Sequence, residues 1–331
     1  MGKISRGAIS MISAVSAEST FYYGVAQTVY NIATSNNSHY EIAGGTDLLP
    51  RAFVPSLQDD IIYNARVNHI EHGNGSVVAH YRSSGEDVPI SGDCLLTTAT
   101  ATSTAYIKFT PELDSDKREA LRNIHYVGAT KIALVFRKPF WKDEGIRGGN
   151  SRTDSISAAI HYPSHEFKSG LGVLIATYTA ADHSNKFLGL TDDECLSQAL
   201  DDLTKVHGEY IKDLYIEGVV KRWSMDPYSI GAYCIFTPYQ LTNFLAPIVR
   251  PTNDLFFAGE HTSYPHAWMD TSIKSAIEAV NYIIGKRRSP NIKQENTENH
   301  YFIKTLVDKL EVLSVNLVKD IATGIRRFFF P

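Results

Sequence analysis

Cysteine, tryptophan and methionine are scarce in this chain of 331 residues: three, three and four copies. Cys94, Cys195 and Cys234 have no metal-ligand spacing and are odd in number, which argues against a disulfide framework; one pair beside a lone thiol stays open. No apolar run approaches the roughly 20 residues needed to cross a bilayer. The first residues, Met-Gly-Lys-Ile-Ser-Arg, lack the uninterrupted apolar segment of a signal peptide. A net charge of −4 argues for neither nucleic acid nor membrane as the main partner. The glycine fingerprint of a dinucleotide-binding βαβ unit is also missing. Gly73-x-Gly75 and Gly170-x-Gly172 each lack the third glycine, and neither stands between a strand and a helix.

What is present is an ordinary globular composition, 43% hydrophobic and 21% charged, in a chain long enough for two domains. Its most informative stretch is Leu255-Phe-Phe-Ala-Gly-Glu-His-Thr262, followed by His266-Ala-Trp-Met-Asp-Thr-Ser-Ile273. This reads as a short buried strand, a tight Ala-Gly exit, an exposed acid at Glu260 and a polar loop. A helix follows, carrying Ile273, Ala276, Ile277, Val280 and Ile284 at helical spacing, with Asp270 and Thr271 where an N-cap is expected. A carboxylate facing a helix N-terminus makes a polar pocket with a positive dipole. Such a pocket suits hydroxyls and an electron-rich ring. An ordinary β-loop-α unit would carry the same short motif.

The rest of the chain alternates. Residues 5–34 read as helical, and Ser35–Ser38 as a loop. Glu41–Gly45 reads as a strand entering a glycine turn, and Asp59–Ile70, Ser76–Arg82 and Asp93–Thr98 as strands between turn signals. Ala129–Phe136 and Leu171–Tyr178 are dense apolar strands, Thr191–Val206 is a helix with an acidic first turn, and Val219–Trp223 is strand-like. Beyond the polar linker 290–299, an amphipathic helix runs from Tyr301 through Ile303, Leu306, Leu310, Leu313, Leu317, Ile321, Ile325 and Phe328. That helix is expected to dock on the body or a partner, with a membrane surface as the alternative.

From Gly2 to Ile284 these motifs resemble, in order, the flavin-dependent amine oxidases, and within them the L-amino-acid oxidases of secreted and venom type. Glu41-Ile-Ala-Gly-Gly-Thr-Asp-Leu-Leu-Pro50, Gly128-Ala-Thr-Lys131, Phe140-Trp141, Lys221-Arg-Trp-Ser224 and Thr237-Pro-Tyr239 carry the likeness together with the 255–273 stretch. The resemblance implies an α/β with α+β architecture: an incomplete Rossmann-like FAD domain plus a mixed substrate-binding domain. Its parts would be a helical substrate region at 1–40, FAD-binding pieces at 41–108 and 251–286, a substrate domain at 109–250, and a linker and helix at 287–331.

The same resemblance implies site roles. Lys131 would hold a water beneath the flavin, Tyr178 would bind the substrate carboxylate with Thr177 as its rival by one residue, and Trp268 with Ala267 would wall an aromatic slot. Val67 would contact the FAD adenine through its backbone, and Trp223 would pack on the flavin. Glu260, Met269, Asp270 and Thr271 would complete the cofactor site. His161 stands where the family tends to carry a tyrosine. The implied reaction takes an L-amino acid, or another primary amine, and molecular oxygen to a keto acid, ammonia and hydrogen peroxide. The ADP-binding segment and the arginine that pairs with the substrate carboxylate are expected upstream of this chain, so the 331 residues are expected to be truncated and inactive alone. A non-catalytic binding or scaffold protein is the alternative. A homo-oligomer and the compartment are left open.

Overall fold

A computed structural model describes residues 23–24 and 40–288, without the side chains of 287–288. The helices expected over 5–34 and from Tyr301 lie almost wholly outside these residues. In chain order the strands and the α-helices longer than one turn are β1 (Arg66–Gly73), β2 (Ser76–Ser83), β3 (Glu86–Gly92), β4 (Leu95–Thr97), β5 (Lys108–Thr110), α1 (Ser115–Asn123), β6 (His125–Val127) and β7 (Ala129–Phe136). They continue with β8 (Asn150–Arg152), β9 (Ala159–His161), β10 (Gly172–Ala180), α2 (Asp192–His207), β11 (Tyr215–Arg222), β12 (Tyr233–Ile235), α3 (Gln240–Val249), β13 (Leu255–Phe257) and α4 (Met269–Arg288). Contacts divide the described residues into two units. The first holds Tyr23, Ala99–Ser103 and Ile124–Pro238; the second holds Gly24, 40–98, Thr104–Asn123 and 239–288.

The first unit is built on a five-stranded antiparallel sheet in the order β11-β7-β10-β9-β8. Burial alternates along β7: Ile132, Leu134 and Phe136 are fully buried, whereas Lys131, Ala133 and Val135 on the other face are half-buried. That alternation is what a strand with one core-facing side requires. The buried face meets Cys195, Ala199 and Leu203 of α2, along with Phe140, Trp141 and Phe187. Thr191 caps α2 by accepting the Glu194 N–H, while the Glu194 carboxylate takes the Thr191 N–H at 2.8 Å, a complete capping box. α2 therefore begins one residue later than its capping threonine.

The second unit contains a four-stranded sheet in the order β3-β2-β1-β5 and a two-stranded parallel pair, β13-β4. In that pair Leu255 faces Leu95 and Phe257 faces Thr97, with Leu255, Phe256 and Phe257 all buried. α1 packs on α3, and the buried Lys117 of α1 donates to the carbonyls of Pro247 and Ile248 at 2.6 and 3.2 Å.

Several sequence expectations need correction. Glu41–Gly45 is not a strand. Gly44 and Gly45 take φ of +93° and +122°, and the Gly45 N–H closes back on the Ile42 carbonyl at 3.0 Å, making a turn. The strand expected from Asp59 starts only at Arg66, because Asn64 is left-handed at φ +56° and Asp60 bonds back to Leu57. β3 was not expected; Val88 and Ile90 alternate along it, but Pro89 stands between them, which suits only an edge strand, and none of its residues is buried. Trp223, expected at the end of the strand-like Val219–Trp223 segment, follows β11 in a 3-10 turn and is half-buried. Asp270 and Thr271 do not cap α4: the helix begins at Met269, and the Ser272 N–H already bonds the Trp268 carbonyl at 3.2 Å. Its apolar stripe is outward as well, with Ile273, Ile277, Val280 and Ile284 all 42% exposed or more. α4 packs through Thr271, Ser275 and Tyr282 instead, the last 6.0 Å from the Phe256 ring.

Candidate active site

The half-buried face of the five-stranded sheet gathers a cluster of polar side chains. Lys131 on β7 pairs across the ladder with Tyr178 on β10 and with Lys221 on β11. A bulge between Ile175 and Thr177 decides which residue of β10 joins this face. Thr177 is turned inward, completely buried, and its hydroxyl donates to Ser157 Oγ at 2.9 Å. Tyr178 is turned to Lys131, whose Nζ stands 4.5 Å from the ring centre, within the range of a cation–π contact. His161 of β9 also meets that ring, 5.5 Å between centroids with the planes tilted by 52°.

Burial sets the electrostatics of this face. It lowers the Lys131 pKa, raises that of the Tyr178 hydroxyl, and lowers that of His161, where the charges of Arg152 and Lys131 add to the effect. Among the described residues Lys131 Nζ has no hydrogen-bond acceptor. A partly desolvated amine beside a phenol is a donor site for an anionic or carbonyl-bearing guest. Lys221 extends the cluster: its Nζ bonds Asp226 at 2.6 Å and lies 4.6 Å over the Trp223 ring. That bond holds the Asp226 pKa down at about 2. From sequence Lys221 stood only in the Lys221-Arg-Trp-Ser224 motif with no site role; the pairing of β11 with β7 is what places it beside Lys131.

The second unit holds the remaining candidates around the exit of β13. Gly259, at φ +131°, donates its N–H to Ser275 Oγ of α4 at 2.8 Å. A Cβ here would stand 2.7 Å from the His261 ring, so only glycine fits the turn. Glu260 is half-buried rather than exposed, and its Oε2 accepts the Ala267 N–H at 2.9 Å. Ala267 is left-handed at φ +68°, and Trp268 after it is 46% exposed. Met269 and Asp270 are exposed on the first turn of α4, where Asp270 pairs with Lys274 at 3.0 Å, and Thr271 is buried. Glu260, Ala267, Trp268, Met269, Asp270 and Thr271 thus form one loop-and-helix cluster. Val67 stands apart from them in the other sheet of this unit, half-buried opposite Tyr81 on β2, next to a register shift.

The donor set of this cluster fits a flavin. A carboxylate offers acceptor oxygens for hydroxyls, and the first N–H groups of an α-helix lack intrahelical partners. Hydroxyls and a polar ring edge need those two kinds of group.

The model of the flavin containing amine oxidoreductase family matches residues 9–284, and the chain belongs to that family. It is 41% identical over 287 residues to an L-amino-acid oxidase of Siganus canaliculatus, covering 85% of this chain and 54% of that protein. An L-amino-acid oxidase of Demansia vestigiata is 35% identical over 305 residues, covering 90% and 59%. The chain therefore spans little more than half the length of these relatives. Among solved structures, cyclohexylamine oxidase from Brevibacterium oxydans IH-35A superposes with a TM-score of 0.65 at 18% identity, covering 74% of this chain and 53% of that one. Putrescine oxidase bound to putrescine gives 0.64 at 15% identity, covering 73% and 53%. Both show the fold alone.

Proposed function

We propose that the whole protein is an FAD-dependent L-amino-acid oxidase, converting an L-amino acid, oxygen and water to a keto acid, ammonia and hydrogen peroxide. The observation that carries this reading is the Lys131–Tyr178 pair on the half-buried sheet face, in a chain whose relatives of 35–41% identity bear that name. FAD would be held by Glu260 and the first turn of α4, where it would supply the two-electron chemistry that side chains lack. The Tyr178 hydroxyl would donate to the substrate carboxylate. Lys131 would hold a water, its ammonium steadied against the Tyr178 ring, and the partly desolvated setting would strengthen both contacts. His161 beside Tyr178 would face the substrate side chain and set preference among amino acids.

The test is the visible spectrum of the purified protein after incubation with FAD and removal of free flavin. A bound-flavin spectrum that bleaches anaerobically with an L-amino acid supports the reading. A bound flavin that bleaches only with other primary amines moves the substrate class. A folded protein that takes up no flavin favours the alternative of a non-catalytic binding protein.

A further inference from the structure

The outward face of β1 and β2 brings two histidines and a glutamate together in one place. Burial alternates along β1, with Ile70 and His72 turned inward, so His69 and Glu71 share the solvent face two residues apart. His80 of β2 is the cross-strand partner of His69. The two imidazoles stack with centroids 5.0 Å apart and planes tilted by 16°. Glu71 Oε1 lies between them, 3.0 Å from His80 Nε2 and 4.0 Å from His69 Nδ1. One ligand atom from each residue falls within 4.8 Å of the other two.

We propose that His69, Glu71 and His80 form a binding site for a divalent transition-metal ion such as Zn²⁺. Ligands about 2.1 Å from a tetrahedral ion stand about 3.4 Å apart, so small side-chain rotations bring these three atoms onto one centre. Two imidazoles and a carboxylate suit zinc, copper or nickel over calcium or magnesium, which prefer oxygen alone. A second feature distinguishes the cluster from an ordinary surface ion pair. The other nitrogen of His69, Nε2, lies 2.9 Å from Thr110 Oγ1 of β5. With Nε2–H donating to that hydroxyl, the lone pair of Nδ1 points to the metal position, the kind of outer support that ligating histidines use. The three ligands leave the fourth position to water. Lys108, the β5 partner of His69, and Arg82, two residues from His80 on β2 and paired with Asp87, are cations on this face that oppose the metal.

The site does not depend on the oxidase reading, and its test needs neither flavin nor substrate. Zn²⁺ is titrated into the full chain by calorimetry, with melting temperature followed in parallel, against His80→Ala and Glu71→Gln. The wild type is expected to bind one more equivalent of Zn²⁺ than His80→Ala and to melt higher when zinc is added. Glu71→Gln keeps both imidazoles and the side-chain shape, and is expected to bind about tenfold more weakly or worse. Should His80→Ala melt as an unfolded chain, Glu71→Gln decides alone. Equal stoichiometry and equal affinity in the wild type and Glu71→Gln would overturn the proposal.

Discussion

Lys131 and Tyr178 are direct partners across β7 and β10, and the ammonium stands 4.5 Å from the phenol ring because a bulge after Ile175 turns Thr177 inward. The two neighbours on β10 therefore have separable jobs. Tyr178→Phe keeps the ring and the cation contact and removes only the hydroxyl. In the flavin-loaded protein it is expected to raise KM for the amino acid about tenfold or more, the worth of a hydrogen bond to a charged group. Thr177→Val breaks the buried bond to Ser157 and is expected to cost about 1 kcal/mol of stability while leaving KM unchanged. Steady-state kinetics and urea unfolding on the two variants check this, and the reverse pattern would move the role to Thr177.

That bulge also marks where sequence reading stops. Val173-Leu-Ile-Ala-Thr-Tyr is legible as a strand because its residues are β-branched or apolar, and β7 was readable to the residue for the same reason. Which of Thr177 and Tyr178 faces Lys131 was not, since a bulge shifts the two-residue period and leaves no signature in composition. The stripe on α4 is the opposite case. Its helical period is correct, but period gives an apolar face without saying what covers it, and in this structure Ile277 is 56% exposed. The three-residue cluster on β1 and β2 was invisible because His69 and His80 meet only through hairpin register.

Gly259 tests the turn that positions Glu260. Its φ of +131° and the His261 ring 2.7 Å from any added Cβ leave no room for a side chain. Gly259→Ala must change the backbone or push a buried histidine. Either route is expected to cost about 1–3 kcal/mol, read as a lower urea midpoint with an unchanged slope. Ser275→Ala, which removes the acceptor of the Gly259 N–H and the hydroxyl's own bond to the Ser272 carbonyl without disturbing the turn's backbone, is expected to cost less.

Acid should destabilise the second unit through two buried histidines. Burial, with the charge of His266 adding to it, lowers the His261 pKa to about 3; burial lowers that of His266 to about 4, against an opposing bond to the Glu260 carbonyl. The unfolded chain titrates these groups near 6.5, so from there down to about 4 it binds more protons than the folded chain. Stability is full above about pH 6.5 and falls as pH drops toward 4. Unfolding free energies from pH 7 to pH 4.5 should show this slope, and His261→Gln should reduce it.

Lys117 gives a slope in the alkaline range. Its ammonium is fully buried, donates to the carbonyls of Pro247, Ile248 and Arg250 at the end of α3, and lies 4.0 Å from the centre of the Phe257 ring. These are the carbonyls a helix leaves unsatisfied at its C-terminus, where the dipole favours a cation. Lys117→Met strips them of their donor and is expected to cost about 2–4 kcal/mol at pH 7. Burial nevertheless lowers the lysine pKa from 10.5 to about 7, partly offset by Asp114. Below pH 7 both folded and unfolded chains hold the proton and the contribution is flat. Between about 7 and 10.5 the unfolded chain holds more of it, so stability rises with pH. The gap between wild type and Lys117→Met should therefore widen from pH 7 to pH 9.5 in urea titrations. A constant gap would mean that Lys117 stays charged in the folded protein, with its three carbonyls outweighing the loss of water.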